Sequence, residues 1–123
     1  MTDQEIGNLT NYIHNEAVIK ILQRKGVHYL FPIQYRTYKD ILMGRDMMGR
    51  DQTGSGKTLA YVLPMLNRFR QQGVLGQNNP NPRFVVILPT RELALQVEEE
   101  INSLKVYENE YKVGLLIGQT PFR

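Results

Sequence analysis

The chain has 123 residues, 41% hydrophobic and 22% charged, which suits one globular domain and is too short for two separate cores. A net charge of +3, from 15 basic and 12 acidic residues, is compatible with a polyanionic partner and ordinary for a soluble domain. The absence of cysteine excludes disulfides and thiolate metal sites. His14 and His28 lack neighbours at ligand spacing and read as surface residues. Met1 leads into Thr2-Asp3-Gln4-Glu5, a polar start unlike a signal peptide, and apolar runs such as Phe84-Val85-Val86-Ile87-Leu88 are far too short to cross a membrane. A soluble protein in a reducing, intracellular compartment, with no membrane partner, is the expectation.

In chain order, Asn15 is the N-cap and Gly26 the stop of a helix that carries Val18, Ile19, Ile21 and Leu22. Pro32 suits the first turn of a second helix, ending near Met43 with Gly44 as its stop. Asp46-Met47-Met48-Gly49-Arg50 reads as a short strand, followed by a glycine-rich loop. Leu59, Val62, Leu63, Leu66 and Phe69 then recur at helical spacing to about Gln71, with Pro64 expected to bend that helix. Residues 73–82 are a loop by their turn residues, and 84–88 form a continuous apolar run of strand length. A helix from about Arg91 presents Leu93, Val97, Ile101 and Leu104, and 113–117 is a third strand candidate. This alternation predicts an α/β fold, a parallel sheet with flanking crossover helices. Ligands of such sheets bind beyond the carboxyl ends of the strands, where 51–56, Pro89 to Glu92 and Gly118 to Thr120 fall.

The most informative stretch is Thr53-Gly54-Ser55-Gly56-Lys57-Thr58, the end of a phosphate-binding loop. Glycines let backbone N–H groups approach a polyphosphate, Lys57 reaches its outer phosphates, and the Thr58 hydroxyl ligates Mg²⁺. Strand, glycine-rich loop and helix also stand in the order that aims a helix N-terminus at an anion. The strict pattern opens with glycine, and Asp51 occupies that position; the competing reading is a glycine-rich turn before a helix.

Pro89-Thr90-Arg91-Glu92-Leu93-Ala94-Leu95-Gln96 resembles the Pro-Thr-Arg-Glu-Leu motif of DEAD-box ATP-dependent RNA helicases. Phe31-Pro32-Ile33-Gln34, preceded by Gly26, resembles the Q motif of that family (26–34), and 51–58 its P-loop. The likeness runs from about Leu9 to Thr120, and 26–34 is most similar to the nucleolar Gu-type branch. It implies that residues 1–123 are the N-terminal portion of a RecA-like ATP-binding domain, with a partial RecA-like P-loop fold. It implies ATP and Mg²⁺ as cofactors and RNA as a partner held through its backbone. It also implies a second, C-terminal helicase domain in the parent protein, and a nuclear, nucleolar or cytoplasmic location.

Residue by residue, the resemblance assigns the adenine contact to Gln34, whose amide matches the adenine donor and acceptor pair. It assigns the phosphate cradle to Thr53, Gly54, Ser55, Gly56, Lys57 and Thr58, with Thr58 on the metal and Lys57 and Thr58 in the catalytic role. Pro89, Thr90, Arg91 and Gly118 receive the RNA backbone. Each has a plainer alternative: a solvated glutamine, an Arg91–Glu92 helix start, a turn at Gly118.

The sequence departs from the family pattern in several places. Asp51 replaces the usual alanine, and a carboxylate ~6 Å from a phosphate charge costs roughly 3 kcal/mol at an effective dielectric near 20. The upstream aromatic falls at Leu9, with Tyr12 as a substitute, and Val27 stands where an aromatic follows the glycine. Gln119 replaces the second glycine after Gly118. The 123 residues contain no Asp-Glu-Ala-Asp, so they read as the first part of a helicase domain, inactive alone; a nucleotide- or RNA-binding fragment and another P-loop ATPase are the rivals.

Overall fold

The structure, a computed structural model, describes residues 1–44, 57–75 and 84–115. The chain forms two units, Met1–Val74 and Leu75–Arg123.

In the first unit a short helix α1 (Asp3–Ile6) and a 3₁₀ turn (Leu9–Asn11) precede α2 (Glu16–Arg24). Asn15 caps α2 as expected, its side chain accepting from Ala17 N–H at 3.0 Å. Gly26 ends it with φ 84°, a left-handed conformation that places Gly26 N–H on Gln23 C=O (3.0 Å) and Val27 N–H on Leu22 C=O (2.8 Å). Val18 and Leu22, on one face of α2, are fully buried. Each contributes about 2 kcal/mol of apolar burial.

The third helix, α3 (Pro32–Leu42), opens on Pro32 at its first position, where the missing N–H costs nothing. Gly44 follows its C-cap Met43, so the expected stop holds. The fourth, α4 (Lys57–Gln72), runs unbroken through Pro64, which removes the donor that would reach Ala60 C=O. Leu59, Val62, Leu63, Leu66 and Phe69 are all buried, so the expected stripe is the core face of α4. The α3 helix packs along α4.

The N-terminal segment is fastened to this pair in two places. Tyr35 Oη donates to Asp3 Oδ1 at 2.9 Å, linking α1 to α3. Leu30 N–H donates to Gly7 C=O at 2.7 Å beside an antiparallel bridge between Asn8 and Tyr29. A Cβ on Gly7 would lie 2.1 Å from the Leu30 carbonyl oxygen, so this approach requires glycine.

In the second unit α5 (Arg91–Asn102) buries Val97 and Ile101, and Leu104 is buried just beyond its end. The following turn is tied down by polar groups. Buried Glu110 accepts from Val106 N–H at 3.0 Å, Tyr111 Oη donates to Ile101 C=O, and the Lys105 ammonium lies 5.4 Å from the Tyr111 ring centre.

No strand ladder is present among the described residues; Asn8 and Tyr29 form an isolated bridge. The expected strand at 84–88 is unladdered, with Val85 70% and Ile87 90% exposed while Phe84, Val86 and Leu88 are half-buried. One side of the run is covered and the other open, whereas a continuous apolar run anticipates cover on both faces. Residues 113–115 of the third candidate also carry no ladder, and 116–117 and the 46–50 candidate lie outside the described residues. No described helix is long and apolar enough to cross a membrane.

Candidate functional site

Gln34 sits at the third position of α3 with only 4% of its surface exposed, so the solvated reading of this side chain does not hold. The chain entering α3 passes through Phe31, an N-cap residue with no side-chain acceptor. Gln34 supplies the missing half of the cap: its Oε1 accepts from Phe31 N–H at 2.7 Å. An amide oxygen has two lone pairs and an amide nitrogen two donors, so this bond uses one of four polar valences. Beside it Phe31 is 45% exposed, with its ring edge-on to Tyr29 at 5.6 Å and 70°.

Lys57 and Thr58 open α4, Lys57 exposed and Thr58 half-buried. Helices α1, α2 and α5 each carry an acid in the first turn, which complements the positive end of the helix dipole. The first turns of α3 and α4 have none, and α4 alone of these two starts with a lysine, an arrangement unfavourable alone and suited to an incoming anion. The Thr58 hydroxyl bonds the phenol of Tyr61, one turn on. Burial raises the Tyr61 phenol above its ordinary value and the Thr58 bond draws it partly back. Among the described residues no group of three or more His, Asp or Glu could hold a metal. A single hydroxyl such as that of Thr58 is compatible with Mg²⁺, an ion that completes its shell with water and phosphate oxygens.

Between the two helices lies a chain of polar contacts absent from the sequence expectations. Arg70 Nη1 donates to Asn67 Oδ1 at 3.0 Å, and Asn67 Nδ2 donates to Tyr38 Oη at 2.7 Å, with Asn67 and Tyr38 buried. Burial is the first cause that raises the Tyr38 phenol above its ordinary value; the Asn67 bond and the Arg70 charge oppose it. Arg68 Nη1 donates to Leu42 C=O at 2.9 Å, closing the C-terminus of α3. The signal for Asn67 was a polar residue four positions after Leu63 on an otherwise apolar stripe. Leu9 is buried, and Tyr12 packs its ring edge-on to Tyr38 at 5.4 Å while its hydroxyl donates to Ile6 C=O.

In the second unit Pro89, Thr90 and Arg91 are exposed at the entry to α5. Thr90 is the N-cap, its Oγ1 accepting from Leu93 N–H at 3.1 Å, and Arg91 and Glu92 open α5 as the helix-start alternative had it. Arg91 occupies the first helical position with its guanidinium at the surface, and Glu92 follows in the first turn. Asp51, Thr53, Gly54, Ser55, Gly56 and Gly118 lie outside the described residues. Gln34, Lys57 and Thr58 thus share the packed α3–α4 pair, and Pro89, Thr90 and Arg91 belong to the second unit.

The DEAD/DEAH box helicase family matches residues 31–123. Nucleolar RNA helicase 2-A of Xenopus laevis is 34% identical over 117 residues, covering 95% of this chain and 15% of that protein. ATP-dependent RNA helicase DDX50 of Homo sapiens is 34% identical over 102 residues, 83% of this chain and 14% of the relative. DEAD-box ATP-dependent RNA helicase 9, mitochondrial, of Arabidopsis thaliana is 42% identical over 83 residues, 68% of the chain and 14% of the relative. The chain therefore spans 14–15% of the length of these relatives.

Proposed function

The chain belongs to the DEAD/DEAH box helicase family, and from that premise we propose that it is the ATP-binding opening of an ATP-dependent RNA helicase with a RecA-like α/β fold. In this reading Gln34 reads adenine and the 53–58 loop cradles the phosphates. Lys57 contacts the outer phosphates through charge-assisted hydrogen bonds. Thr58 offers the lone pairs of its hydroxyl oxygen to Mg²⁺. The metal, when bound, neutralises charge on the phosphates. Pro89, Thr90, Arg91 and Gly118 face RNA, where the Arg91 guanidinium holds a phosphodiester with no demand on base identity. A C-terminal helicase domain completes the parent enzyme. The name of the Xenopus laevis relative favours a nucleolar location, checked by imaging a tagged chain.

The observation that carries this reading is the acid-free, lysine-led start of α4 packed beside the helix that buries Gln34. Calorimetric titration with Mg-ATP tests it. Lys57→Ala is expected to abolish binding, and unchanged affinity removes the phosphate-loop assignment. Phosphate release from the same samples is expected to be nil, because phosphoryl transfer needs metal, water and cation placed together.

A further inference from the structure

We propose that Tyr38, Asn67 and Arg70 form a specificity-positioning device that fixes the rotation of α3 on α4 and so aims the Gln34 amide at the nucleotide base. The inference rests on the nucleotide reading above and adds residues that make no ligand contact in it. Tyr38 follows Gln34 by four positions, so both project from one face of α3, and both are buried there. The partner of Tyr38 is Asn67 of α4 at 2.7 Å, and Asn67 is itself held by Arg70 at 3.0 Å. Arg70 donates to the amide oxygen and the amide nitrogen donates to the phenol, so neither amide orientation nor ring position is left to packing alone.

Two different degrees of freedom are constrained on α3. Arg68 holds the Leu42 carbonyl at the C-terminal end of α3 and so resists sliding along α4. The Tyr38–Asn67 bond lies off the axis and limits rotation. Rotation is what would carry Gln34 sideways, one turn away. Lys57 and Thr58 lie at the start of α4, about 15 Å along the helix from Asn67, and are set by the α4 backbone. Loss of the bond should therefore blunt base discrimination and spare the phosphate contacts.

The test compares Mg-ATP and Mg-GTP titrations of the wild-type chain with Tyr38→Phe, Asn67→Leu and the double variant, with circular dichroism as the check of folding. Removing both polar partners together avoids an orphaned buried amide, so the double variant keeps folding measurable even if a single one fails. The expected result is a three- to tenfold fall in the ATP-to-GTP preference in every folded variant, arising in ATP affinity with GTP affinity unchanged. The double variant should regain melting temperature without regaining selectivity, which a purely structural role would not produce. Wild-type preference in the folded variants overturns the inference, as does equal weakening of both nucleotides. A wild-type chain that binds both nucleotides equally overturns the adenine reading itself, and the positioning role with it.

Discussion

Gln34 closes a helix end and, in the proposed function, also reads the base. Its oxygen closes the α3 N-terminus on Phe31 N–H, a bond that would be needed with no nucleotide present. Replacement by alanine should therefore act twice. The unpaired Phe31 N–H and the vacated buried volume should lower stability by about 1–2 kcal/mol, read from a denaturant midpoint. Adenine preference over guanine should also fall, because guanine O6 meets an acceptor where adenine offers a donor. Full stability with lost preference would show that the cap is dispensable; lost stability with intact preference would remove Gln34 from base reading. The proposed base-reading role rests on Pro-Ile-Gln after a helix-stopping glycine. The capping half was hidden, because it depends on Phe31 occupying the N-cap, where a side-chain acceptor normally stands.

At the scale of elements, helix ends were the most legible features, since caps act over three or four residues. Asn15, Gly26, Pro32 and Gly44 all stand at helix termini. Contacts between distant segments were not legible: nothing local to Gly7 announces that Leu30 will lie against it. Gly7→Ala places a Cβ where the Leu30 carbonyl oxygen stands, so the clasp must open. Hydrogen exchange is expected to rise at Leu30 and Tyr29 while α4 keeps its protection; unchanged exchange at Leu30 would mean the backbone shifts at little cost. At α5 two neighbouring residues should differ in what they contribute to stability. Thr90→Ala removes the cap and should cost about 1 kcal/mol of stability. Arg91→Ala should leave stability within ~0.5 kcal/mol, weaken RNA binding across sequences, and reduce the salt slope of binding by about 1. Equal RNA affinity and salt slope in Arg91→Ala would take that guanidinium off the RNA surface.

For the molecule as a whole, helices emerged where amphipathic periodicity and caps agreed, and the sheet did not emerge among the described residues. The difference is physical. A helix satisfies its backbone within one segment, whereas a strand exists only through a partner whose identity no local pattern encodes. The RecA-like expectation comes from the motif resemblance, which the family match supports, and not from strand periodicity. The run 84–88 has a consequence for handling the protein. Five uncharged residues of high β-propensity, with Val85 and Ile87 turned to solvent, meet the compositional conditions for self-templating into intermolecular β-structure. Solutions of these 123 residues should accordingly show a concentration-dependent lag and thioflavin fluorescence, both suppressed by Ile87→Lys. Monodisperse scattering at high concentration from the unaltered chain would show that this surface is protected. Colloidal behaviour, rather than folding free energy, is then expected to limit the conditions under which nucleotide and RNA binding can be measured.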